Sequence, residues 1–166
     1  DVAKLQNLTV LSMNSCTDIT GFTADPTADV AKLQKLTQLY MDSCTSITGF
    51  EHQGLHSRPG HTADLAKLQK LTNLNMNSCT DITGSTADLA KLQKLAELFM
   101  SSCTSITGST ADLAKLQKLT KLDMNSCKSI TGCTADLAKL QKLRELFMNS
   151  CPGITGSTAD LAKLQN

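Results

Sequence analysis

Six of the seven cysteines fall on a beat, at Cys16, Cys44, Cys79, Cys103, Cys127 and Cys151. Thiols at regular spacing are the first groups to test for chemistry. Metal sites favour local pairs such as C-x-x-C, and one thiol per 24-residue interval supplies none. Stacked neighbours would come within disulfide range, but parallel side chains in a rigid stack disfavour bridging. The pattern therefore predicts buried, reduced thiols that fill space as small apolar groups. Cys133 stands apart, because it replaces the Ser of a recurring G-S-T turn, and it is the thiol predicted to be most reactive. An odd number of unpaired thiols points to a reducing compartment.

The three histidines share one insertion with Glu51. His52, His56 and His61 are types able to hold a divalent cation, but their spacing matches no metal motif. The Gly and Pro around them predict a loop, so no metal or cofactor is expected. Asp-x-x-Lys recurs as Asp64/Lys67, Asp88/Lys91, Asp112/Lys115 and Asp136/Lys139, which suits a helix with Asp toward its start and Lys later. A second lysine follows in each unit, and the whole row reads as a solvated face. Recurring threonines after the turn, Thr86, Thr110, Thr134 and Thr158, are expected to satisfy turn backbone. No nucleophile–base–orienter set, phosphate-cradling Gly loop or paired carboxylates appear, so catalysis is not expected.

The elements that position these residues repeat as well. From Cys79 onward the cysteine intervals are 24 residues, and the two earlier intervals are 28 and 35. The longer ones hold insertions near 22–28 and 50–61. A period of this length means a solenoid whose units bury their apolar side only against one another. One unit, Ala87 to Thr110, reads ADLAKLQKLAELFMSSCTSITGST. Alternating Leu98 and Met100 predict a short strand, and Ile106-Thr107-Gly108 predicts a turn. Leu113 and Leu116, spaced i, i+3, predict a short helix whose first N–H groups Thr110 or Asp112 would cap.

Aromatic residues are 3% of the chain with no Trp, so the core must be aliphatic. A net charge of +1 offers no pull toward nucleic acid or anionic membrane, and no apolar run is long enough to span a bilayer. The first residues show no signal-peptide pattern. The sequence opens on DVAKLQNL and closes on ADLAKLQN, both in mid-repeat. It thus reads as a single array over 1–166 of about six units, uncapped at both ends.

The pattern L-x-x-L-x-M-x-x-C-x-x-I recurs six times, from Leu8/Leu11/Met13/Cys16/Ile19 to Leu143/Leu146/Met148/Cys151/Ile154. It resembles the leucine-rich repeat family over nearly the whole chain, and somewhat its cysteine-containing branch. I-T-G stands where that branch has I-T-D, and the unit is slightly short. The resemblance implies an α/β solenoid, a horseshoe or arc with a parallel concave β-sheet and short convex helices. Strands about 4.8 Å apart would give that sheet a length of about 25–30 Å.

Letters change mainly on the strand, whereas ADLAKLQK on the helix hardly varies. Drift alone would have touched both sides, so the strand positions read as an individualised binding face. Tyr40, Phe99 and Phe147 occupy its central position in alternate repeats and are the expected anchors. Gln38, Asp42, Asn75, Glu97, Lys121, Asp123 and Glu145 are expected to set polarity and partner choice. The function expected is a non-enzymatic protein-binding scaffold for a protein or peptide ligand, with no nucleic-acid partner. The alternative is a structural solenoid whose open ends associate into filaments.

Overall fold

The computed structural model describes residues 2–16, 26–44 and 60–164. Both insertions fall largely outside these residues, and so do Glu51, His52 and His56. His61 is described, and its Nδ1 accepts from the Ala63 N–H at 3.1 Å at the start of a helix.

The alternating Leu and Met positions form the strands expected of them. Val10–Ser12 (β1), Gln38–Tyr40 (β2), Asn73–Asn75 (β3), Glu97–Phe99 (β5), Lys121–Asp123 (β7) and Glu145–Phe147 (β9) make one six-stranded parallel sheet, here the front sheet. The order is β1-β2-β3-β5-β7-β9, and the register places Leu11, Leu39, Leu74, Leu98, Leu122 and Leu146 in one inward row. Leu39, Leu74, Leu98 and Leu122 are fully buried.

The segment read as a Gly turn is instead a second set of strands. Gly84–Ser85 (β4), Ile106–Ser109 (β6), Ile130–Cys133 (β8) and Ile154–Thr155 (β10) form a four-stranded parallel back sheet. The I-T-G-S segment is too short to show period two, and its Gly reads as a breaker until a neighbouring copy supplies ladder partners. Parallel ladders therefore run on both sides of these repeats, each with the usual strand spacing of about 4.8 Å.

The helices are single turns: Pro26–Val30 (α1), Thr62–Leu65 (α2), Thr86–Leu89 (α3), Thr110–Leu113 (α4), Thr134–Leu137 (α5) and Thr158–Leu161 (α6). Thr110 does not cap its helix. The N-cap is Ser109, and Thr110 is the first helical residue, buried with its hydroxyl turned into the stack. There Oγ1 accepts from the Cys133 N–H at 2.9 Å and donates to Asp136 Oδ2 at 3.0 Å. Thr86 repeats the relay with the Ser109 N–H at 2.8 Å and Asp112 Oδ2 at 3.0 Å. The free oxygen of each Asp meets its own lysine, as in Asp112 Oδ1 to Lys115 Nζ at 2.9 Å. The Asp-x-x-Lys column therefore joins successive repeats as well as complementing a helix.

The cysteines are buried or half-buried and unpaired, but they do more than fill space. Cys103 Sγ donates to the Met76 carbonyl one repeat back at 2.9 Å, and Cys127 does so to Met100 at 3.0 Å. Each of the six periodic cysteines follows a serine in the left-handed region, with φ of 57° to 60° at Ser15, Ser43, Ser78, Ser102, Ser126 and Ser150. Burial pushes the Cys79 and Cys127 thiols up to about 12, so they stay protonated donors. Cys133 is half-buried at the N-cap of α5, with Sγ 3.5 Å from Asp136 Oδ2. The apolar side chains form one aliphatic cluster running from Met13 through Leu143. Among the described residues, no buried side-chain nitrogen or oxygen lacks a partner.

Gly108 has φ +120°, and a Cβ there would lie 2.1 Å from Thr86 Oγ1 and 3.0 Å from the Thr86 nitrogen. Gly108→Ala should therefore destabilise the stack by at least about 2 kcal/mol, through strain and a displaced relay; urea unfolding at equilibrium measures it. The relay also has a pH signature. Lys115, and then the Thr86 hydroxyl, hold the Asp112 carboxyl below the usual carboxylate range, and Lys139 and Thr110 do the same to Asp136. A lowered folded-state value gives stability that is present above the unfolded value of about 3.9 and is lost as pH falls through the folded one. The urea midpoint should stay level from neutral pH to about 5 and drop below about 4. A Thr86→Val, Thr110→Val double variant should show a flatter drop.

Candidate functional site on the front sheet

Side chains alternate along a strand, so the residues before, between and after the Leu and Met rows face away from the core. The register sorts them into columns. The first runs Val10, Gln38, Asn73, Glu97, Lys121 and Glu145, and the second runs Ser12, Tyr40, Asn75, Phe99, Asp123 and Phe147. A third column, just past the strands, holds Asn14, Asp42, Asn77, Ser101, Asn125 and Asn149.

The structure gathers all ten of the sequence-selected residues on this one face, but it does not leave them equally free. Tyr40 and Phe99 are half-buried and Phe147 is 44% exposed, so each ring offers an open edge or face. The Tyr40 hydroxyl donates to Gln38 Oε1 at 3.1 Å. Asn75 and Asp123 spend one oxygen each on the turn, accepting from the Asn77 and Asn125 N–H groups at 3.0 Å. Glu97 accepts from Asn73 Nδ2 at 2.6 Å. Lys121 pairs with Glu145 at 3.0 Å, with both side chains partly exposed. That hydrogen bond and charge, followed by the charge of Glu97, raise the Lys121 ammonium above its ordinary value.

Sequence reasoning missed two roles here. Asn73 orients Glu97, which only the pairing of β3 with β5 reveals. In the third column, Asn77 Oδ1 accepts from the Ser101 N–H and Asn125 Oδ1 from the Asn149 N–H, each at 2.7 Å. Those asparagines support the backbone of the next repeat. The recurrence of Asn just before the left-handed Ser was the available signal. The constancy of ADLAKLQK also has a structural cause. Leu113 and Leu116 are buried, Asp112 bonds Thr86 and Lys115, and Gln117 donates to the Ala114 carbonyl at 2.6 Å. The contrast in variability between the two sides is thus no independent argument for binding.

No protein-family model matches the chain, and no curated protein matches it. Solved structures do. An internalin (inlF) of Listeria monocytogenes aligns with a TM-score of 0.62 at 20% identity over 98% of this chain. The chain spans about half, 47%, of that internalin's length. The leucine-rich-repeat ectodomain of the receptor kinase SOBIR1 from Arabidopsis thaliana aligns with a TM-score of 0.59 at 16% identity, over 87% of this chain and 70% of that one. The Arabidopsis receptor kinase HAESA, solved with the peptide hormone IDA and the co-receptor SERK1, aligns with a TM-score of 0.55 at 17% identity, over 97% and 30%. The fold is the leucine-rich-repeat solenoid. Among the described residues no helix is long and apolar enough to cross a membrane.

The hydrogen bonds separate positions that hold backbone from positions that bond other side chains on this face. Asn125→Ala should cost about 1 kcal/mol in urea unfolding, because it removes the acceptor for the Asn149 N–H. Glu97→Gln should stay within about 0.5 kcal/mol of the parent chain. Equal losses from both would refute the division.

Proposed function

We propose that the chain is a non-enzymatic scaffold that binds a protein or peptide ligand on the outer face of the front sheet. One observation carries this reading: three aromatic rings stand in a single register column, on alternate strands, partly open to solvent. Rigid aromatic area of this kind supplies much of the energy in interfaces, whereas the polar rim around it supplies selectivity. On this reading Tyr40, Phe99 and Phe147 are anchors, and Gln38, Asp42, Asn75, Glu97, Lys121, Asp123 and Glu145 choose the partner. HAESA provides a precedent, as a chain of this fold solved with a peptide hormone. The whole array forms one binding unit on this reading, which is supported by a front sheet that takes a strand from each of the six repeats.

The finer alternative is end-to-end association. It draws on β1 and β9, which stand at the two edges of the front sheet, and open strand edges invite pairing.

A random peptide library displayed against the chain tests the first reading. Selected binders should compete with one another and lose about tenfold or more in affinity to a Phe99→Ala, Phe147→Ala double variant. The urea midpoint of that variant serves as the folding control. Binders indifferent to both substitutions would place binding elsewhere. Growth of scattering mass with concentration, unaffected by the two substitutions, would favour end-to-end assembly.

A further inference from the structure

The spacing of the three rings restricts what can lie across them. Tyr40 pairs in register with Asn75, Asn75 with Phe99, Phe99 with Asp123, and Asp123 with Phe147. Successive rings are therefore two strands apart, about 9.6 Å at the usual strand spacing, and Tyr40 to Phe147 spans about 19 Å. The spacing is that of the strands that carry the rings, and the back strands from Gly84 to Thr155 are paired in parallel as well.

A ligand that uses all three rings must present apolar groups on one side at that interval. A β-strand repeats one side every two residues, about 6.6 Å, and falls out of step at once. An α-helix next presents a side chain on the same face after seven residues, about 10.5 Å, and over the full span it overshoots by about 1.8 Å. A polyproline-II helix has three residues per turn and rises about 3.1 Å per residue. Its every third side chain recurs at about 9.3 Å, and six residues cover about 18.6 Å, within 1 Å of the ring-to-ring span. Aromatic-lined surfaces suit such segments because the ligand arrives already extended and little entropy is lost on binding.

Charge fixes the residues between the apolar ones. Four carboxylates, on Asp42, Glu97, Asp123 and Glu145, face one ammonium, on Lys121. Asp123 sits between Phe99 and Phe147, and Glu97 lies beside Phe99 in the adjacent column. Lys121 already neutralises Glu145. The remaining field is acidic, and it favours a cationic ligand while repelling an acidic one.

Resting on the reading that this face is the binding site, we propose that its occupant is a polyproline-II segment. It carries an apolar residue, proline or leucine, at every third position, and lysine or arginine between them. The segment runs along the stack, across the strands, with its apolar side on Tyr40, Phe99 and Phe147.

Three fluorescent ten-residue peptides of defined sequence test this on the full chain by anisotropy. The first is Pro-rich, with leucine at every third position and arginine between. The second has the same composition with leucine at every second position. The third keeps the first pattern but carries glutamate for arginine. The first should bind at least tenfold tighter than either of the others. Phe99→Ala and Phe147→Ala should each weaken it about tenfold, and Asp123→Asn should weaken it and reduce its sensitivity to salt. Equal or tighter binding of the second or third peptide, or no binding of the first, overturns the proposal. If library-selected binders still depend on Phe99 and Phe147 in that case, the face remains the binding site and only the ligand geometry is wrong. If neither the peptides nor the selected binders respond to those substitutions, the assignment of the face fails as well.

Discussion

Each repeat leaves polar and apolar groups unsatisfied until the next repeat arrives, and the rest of the structure depends on that. The Thr86 hydroxyl meets the Ser109 N–H and Asp112 of the following unit. The Cys103 thiol reaches back to the Met76 carbonyl. A single unit would expose its leucines as well as these groups. Burying one leucine contributes about 1.5–3 kcal/mol, but no unit has another side on which to bury it. Stability is consequently a property of neighbouring pairs, and the array is stabilised by addition. A thiol with its value pushed up to about 12 by burial, as at Cys127, keeps its proton and hence its donor role.

The same dependence explains which letters can vary. A residue that bonds forward or backward along the stack is fixed by two neighbours at once, so Thr110, Asp136 and Gly132 recur with little change. Gly132 is a particular case, because the Thr110 hydroxyl occupies the space a Cβ would take. The outward positions of the front strands meet solvent, one another and, at Asn75 and Asp123, the backbone of their own turn, and they carry the differences between repeats. Their partial pairing, as in Asn73 with Glu97 and Lys121 with Glu145, orders the polar groups around the rings. A ligand would meet this surface already arranged, which lowers the ordering cost of association.

The front strands, the aliphatic core and the outward columns were legible in the sequence because each depends on local period and on identical units. Leu98 and Met100 alternate within three residues, and the same alternation six times over leaves one way to stack. The back sheet was not legible. Ile106–Ser109 becomes a strand only when the neighbouring copies supply its ladder, and its Gly argues locally for a turn. The Thr110 hydroxyl looked like a helix cap for a similar reason. It stands beside N–H groups of its own turn, but its partners are the Cys133 N–H and the Asp136 carboxylate of the next repeat.

The sequence by itself determined the repeat, the inward rows and the membership of the candidate face, since side-chain alternation and a fixed period are properties of the chain's own order. Only the tertiary structure decided which polar residues on that face are spent on backbone. It also decided that the I-T-G-S segments pair into a second sheet. Apart from the turns closed by Asn75 and Asp123, those facts are relations between successive units, set by the register of parallel strands, and no local pattern carries register.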